Sequence, residues 1–167
     1  MNLSECEQAA PNYPRLVVRI VLAAVVAFHL LVPLRHHYFE GDVAWTEQGH
    51  RYAWRMMLRS KRGYGYFNVK NVHTGEVTKV DPADYLTDRQ CEKLFTHPDM
   101  ILQFAHHLRN LWKRRGVEEV EVYASARASL NGRPARTYVD SSIDLAKEQW
   151  HFFKKSDWVL GNDSNEE

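Results

Sequence analysis

Apolar residues crowd one stretch near the start of the chain and then settle into short periodic runs. Leu16 to Leu34 is almost continuously apolar, interrupted only by Arg19, His29 and Pro33. At about 1.5 Å per residue such a helix spans the hydrocarbon core of a bilayer. Arg19 lies near one end and can snorkel, whereas His29 lies deeper and calls for a polar partner from another helix. Pro33 is expected to break or kink the helix. The pattern predicts a transmembrane helix over residues 15–35. A signal peptide is disfavoured by Glu5 and Glu7 and by the length, and a buried soluble helix is the remaining reading. Basic residues flank both ends, so the positive-inside rule leaves the orientation open.

Beyond residue 39 the periods shorten. Arg51 to Arg59, Tyr64 to Val72 and Glu76 to Val80 read as extended, with turns at Lys61-Arg62-Gly63 and His73-Thr74-Gly75. That is a three-stranded meander. Thr87 to Gln90 fits a capping box and opens a helix running to about Thr96. A second helix opens at Pro98-Asp99. Met100, Ile101, Phe104, Leu108, Leu111 and Trp112 form its apolar stripe. Lys113 to Arg115 favour its C-terminal end and Gly116 terminates it. Val120 to Leu130 alternates apolar with polar, Asn131-Gly132 is a hairpin signal, and Arg136 to Val139 returns. The small alanines of that strand suggest that the Phe104/Trp112 helix packs closely on them. Asp140 to Leu145 and Phe152 to Leu160 close the domain, anchored by Trp150 and Trp158.

The expectation is an α+β fold: one N-terminal transmembrane helix, then an antiparallel sheet of about five strands with one or two packed helices. Residues 1–14 read as a leader or loop, 39–160 as the extramembrane domain and 161–167 as a frayed tail.

Composition narrows the function classes. A net charge of +1 over 167 residues gives no electrostatic footprint for nucleic acid. None of the nine histidines falls in a metal-ligand spacing. The pairs His36-His37 and His106-His107 diverge on any regular element. Cys6 and Cys91 make no disulfide framework. Phosphate loops, nucleophile elbows and zinc-protease motifs are missing from the sequence. Asp81, Asp84 and Asp88 fall at turns and a helix start, where Asp serves structure.

One stretch stands out. Trp45 to Arg59 packs two tryptophans, a tyrosine, two methionines, a histidine and three arginines between the apolar segment and the domain. Period alone makes it a strand with Trp54 and Met56 in the core.

Trp45-Thr46 and Tyr52-Ala53-Trp54-Arg55-Met56-Met57 resemble the region after the last membrane helix of vitamin K-dependent gamma-carboxylases. The order of further pieces supports this: Thr74-Gly75-Glu76, Pro98-Asp99-Met100 with Gln103-Phe104-Ala105, Ser129 to Arg133, Asp140 to Asp144 and Asp157-Trp158-Val159. The likeness covers roughly Leu16 to Leu160 and is nearest to compact bacterial-type members.

The resemblance implies a concrete chemistry. Such enzymes deprotonate reduced vitamin K in a membrane bundle, and O2 converts the quinol to a strongly basic alkoxide. That base removes a γ-proton from a peptide glutamate, and the carbanion captures CO2. So weak an acid requires a water-excluded pocket. Reduced vitamin K is the implied cofactor, with CO2 and O2 as co-substrates and no metal. The implied partners are the membrane, a glutamate-containing peptide, and an N-terminal membrane half or split partner. The family's catalytic lysine lies in preceding membrane helices, and Lys61 is the first lysine here. The resemblance therefore implies no catalytic residue in this chain, a C-terminal portion inactive alone, and a domain on the periplasmic or lumenal side. An anchored binding module without catalysis is the alternative. For substrate binding it points to His50, Arg51, Tyr52, Trp54 and Arg55, the arginines suited to a carboxylate. Arg55 departs from relatives that carry an acidic residue there.

Overall fold

A computed structural model describes residues 14–39, 42–48, 52, 59–151 and 154–162. Helix α1 runs Arg15–Leu34, with every residue outside the core. It is long and apolar enough to cross a membrane, a test that a signal sequence near the N-terminus also passes. His29 Nδ1 lies 2.8 Å from the carbonyl oxygen of Val25, one turn back. Pro33 is accommodated in the last turn, after which the chain tightens into a 3₁₀ turn at Arg35–Tyr38.

A short helix α2, Val43–Thr46, follows, capped by Asp42, whose carboxylate accepts the Ala44 N–H at 2.8 Å. The sheet then begins with β1, Lys61–Asn71, and β2, Val77–Val80. Helices α3, Asp88–Leu94, and α4, Pro98–Arg114, separate this hairpin from β3, Val120–Leu130, and β4, Arg136–Thr137. All pairings are antiparallel, in the order β2-β1-β3-β4. β1 and β3 pair along their full lengths, from Lys61 opposite Leu130 to Asn71 opposite Val120.

The expected arrangement of an apolar helix, an antiparallel sheet and two packed helices is present, with four strands. The fifth, Arg51 to Arg59, falls almost wholly outside the described residues. Its one described interior residue, Tyr52, is a turn residue at φ +65° and is not extended. Lys61-Arg62-Gly63 forms strand rather than turn, because the long partner β3 supplies hydrogen bonds along that whole segment.

Local signals elsewhere hold. The Thr87–Gln90 capping box is formed, and Asn131 and Gly132 adopt φ +52° and +77° at the hairpin. One face of the sheet buries Val122, Ala124, Ala126 and Ala128 against Ile101, Phe104, Ala105 and Leu108 of α4. The alanines thus allow the close approach of a bulky helix. Glycine does the same in β1. A Cβ on Gly63 would lie 2.2 Å from the Phe95 carbonyl oxygen, so the α3–α4 corner rests on bare backbone.

The C-terminal segment is tied to this layer at several points. Val139 bridges Val159. Asp144 accepts the N–H groups of Val122 and Ala146 at 2.8 and 3.0 Å. Arg109 donates to the Ala146 carbonyl at 2.5 Å, and His106 Nε2 lies 2.9 Å from the Glu148 carbonyl oxygen. Trp158 is buried, with half-buried Trp150 edge-on against it at 6.4 Å.

Candidate functional site

α2 ends at Glu47, which turns into the left-handed region at φ +59°. That turn aims its carboxylate into the domain, where it is buried beneath three basic side chains, Arg59, Lys61 and His97. Arg59 Nη1 lies 2.7 Å from Glu47 Oε1 and Lys61 Nζ 3.6 Å from the same oxygen. His97 Nε2 lies 3.5 Å from Oε2. The four come from three places: the end of α2, the start of β1 and the α3–α4 corner.

Hydrogen bonding defines the histidine tautomer. The Thr96 hydroxyl lies 2.7 Å from the Lys93 carbonyl oxygen, to which it donates its only proton. It must then accept from His97 Nδ1, also 2.7 Å away. A neutral His97 therefore turns a bare Nε2 toward Glu47, and only the imidazolium donates to the carboxylate.

Lys61 sits in an aromatic slot. Its Nζ donates to the Trp45 carbonyl at 2.5 Å and lies 3.7 Å from the Tyr138 ring centre and 5.4 Å from that of Trp45. Burial lowers its pKa from 10.5 to about 7, against the opposing pull of Glu47. Tyr138, also buried, is held well above the ordinary phenol range, first by burial and then by the Glu47 charge. Its hydroxyl has no hydrogen-bond partner among the described residues.

These contacts join the described ends of the Trp45–Arg59 stretch. Arg59 donates to the Ala44 carbonyl at 3.1 Å and Lys61 to that of Trp45, so the two ends of the Trp45–Arg59 stretch are fastened together. Trp45 Nε1 donates to the Leu160 carbonyl at 2.8 Å, and Gln48 Nε2 to that of Ser156 at 3.2 Å. Trp45 and Gln48 are thereby pinned to the C-terminal segment. His50, Arg51, Trp54 and Arg55 lie outside the described residues. Tyr52 is exposed and borders a cleft of about 480 Å3 shared with Asp99, Gln103, His106, Gln149 and Trp150. Sequence reasoning missed Glu47, Arg59, Lys61 and His97 as a group. The available signal was the pair of opposite charges flanking the aromatic stretch. His97, some 50 positions away, carried none.

The arrangement makes stability depend on pH. Between pH 7 and 10.5 the unfolded chain holds the Lys61 proton and the folded chain does not, so stability rises with pH across that window. Chemical denaturation of the wild type minus that of Lys61→Met should increase by at most about 1.4 kcal/mol per pH unit. A flat difference would mean that Lys61 stays charged in its slot.

Comparison with known proteins comes down to one finding. The model of the family described as vitamin K-dependent gamma-carboxylase, lumenal domain, matches residues 14–165. No solved structure matches the chain.

Proposed function

Because the chain belongs to the family of the vitamin K-dependent gamma-carboxylase lumenal domain, we propose that it is the substrate-presenting part of a gamma-carboxylase-like membrane protein. In this reading α1 is a membrane helix and the domain lies on the periplasmic or lumenal side. The supporting observation is that Glu47, Arg59 and Lys61 join the described ends of the Trp45–Arg59 stretch, closely following α1 in the chain. A loop held at its base positions its tip at low entropic cost. Arg51 and Arg55 would pair the glutamate carboxylate, with His50, Tyr52 and Trp54 flanking it.

Reduced vitamin K would supply the base for γ-proton removal, with O2 and CO2 consumed. α1 offers an open groove along Val25, Val26, His29, Leu30 and Pro33. One helix surface encloses no quinone, so these residues do not by themselves fit the quinol. The reading calls for further membrane helices, on this chain or another. Since residues 15–34 contain no lysine, a membrane-anchored binding module without catalysis is the second reading.

The test is to co-express the chain with a gamma-carboxylase membrane bundle and follow labelled CO2 into a glutamate peptide with reduced vitamin K. Incorporation is expected. Arg51→Ala with Arg55→Ala should raise KM for the peptide about tenfold or more, the usual cost of losing charge-assisted hydrogen bonds. Peptide binding without incorporation under any quinol would overturn catalysis and favour the second reading.

A further inference from the structure

α3 and α4 cover one face of the sheet, and the opposite face is open among the described residues. Along β1 that open face carries Arg62, Tyr64 and Tyr66, since Gly63, Gly65 and Phe67 point the other way. Arg127 of β3 stands opposite Tyr64, and Lys79 of β2 lies over Tyr66, 3.9 Å from its ring centre. Tyr64 is 60% exposed. Arg62 has no partner among the described residues, and Arg127 uses one nitrogen on the Ala135 carbonyl at 2.7 Å.

The carboxylate on this face is already engaged. Glu121 accepts from Lys70 at 2.9 Å and from the Tyr123 hydroxyl at 3.0 Å. What remains unneutralised is a row of cations interleaved with phenols. An anionic bilayer would favour clustered lysines with apolar or tryptophan insertion. Phenols alternating with guanidinium groups along a strand of 3.3 Å rise suit an extended chain bearing spaced carboxylates.

We propose that the open sheet face, centred on Arg62, Tyr64, Tyr66, Lys79 and Arg127, docks a glutamate-rich segment of the peptide substrate. It is a surface of β1, β2 and β3, separate in sequence from Trp45–Arg59. The proposal rests on the substrate-presenting reading above. It adds that multiply acidic peptides are held on the sheet while single glutamates are offered at the loop.

The measurement is fluorescence anisotropy of a labelled peptide with four spaced glutamates, titrated with the full chain in neutral nanodiscs, which requires no carboxylation. Arg62→Glu with Arg127→Glu should weaken binding about tenfold or more and flatten its salt dependence. The charge-matched control, Lys113→Glu with Arg114→Glu at the exposed end of α4, should leave it unchanged. Equal loss in both pairs would overturn the proposal as a net-charge effect. So would unchanged binding in the sheet-face pair, or a defect confined to anionic vesicles. If peptide binding follows the sheet-face pair while CO2 incorporation is never obtained, the catalytic reading fails and the docking face stands.

Discussion

Glu47→Ala is expected to destabilise the domain by about 3–5 kcal/mol, the usual cost of removing one partner from a buried ion pair. The carboxylate is buried and lies within 4 Å of Arg59, Lys61 and His97, so its loss leaves the Arg59 guanidinium without its counter-charge and, below pH 7, the Lys61 ammonium as well. Water cannot easily compensate, because the Lys61 side chain is only 3% exposed. Adding Lys61→Met should recover part of the loss below pH 7, where Lys61 carries its proton and its unpaired charge is then removed as well. Thermal unfolding followed by tryptophan fluorescence reads this directly, since Trp45 and Trp158 are both buried. A loss below about 1 kcal/mol would place the cluster among ordinary solvated surface pairs. In the substrate-presenting reading the same variant should also raise KM for the peptide, because the loop loses its fastened base.

The second large effect is expected in β1. Gly63→Ala and Gly65→Ala should each cost about 3 kcal/mol or more, at or above the upper end of overpacking penalties. At Gly63 the new methyl would meet the backbone oxygen and carbon of Phe95 at 2.2 and 2.5 Å. At Gly65 it would meet the Ser125 carbonyl oxygen at 2.2 Å. Neither obstacle is the flexible end of a side chain, so the α3–α4 corner or the β3 ladder has to move. Gly75→Ala provides the contrast. It has open space around it but sits at φ +72°, so only backbone strain of about 1–2 kcal/mol applies. If Gly63→Ala costs no more than Gly75→Ala, the corner is not seated on the strand as described. The two glycines also bear on the site. Lifting Phe95 off β1 carries Thr96 and His97 with it and separates His97 from Glu47.

Much of the fold was legible because its causes are local. The stripe of α4, the capping box at Thr87 and the Asn131-Gly132 turn each involve neighbours within a few residues, and each forms as the pattern implies. The start of β1 was not legible. Lys61-Arg62-Gly63 has a turn-like composition, yet pairing with β3 along eleven positions overrides that preference. Among the predicted substrate residues, Tyr52 is described as an exposed turn residue, and the others fall outside the described residues.

By itself the sequence determined the apolar helix, the alternation of β3 and the helical stripe that packs on it. Hydrophobic period and turn chemistry are written in adjacent residues. Only the tertiary structure decided that Glu47 meets Arg59, Lys61 and His97, and that one sheet face stays open with its arginines and tyrosines in a row. Charged side chains carry no period that names their partners. Which charges become buried together depends on how the α3–α4 corner, held close by two glycines, lies against the strand.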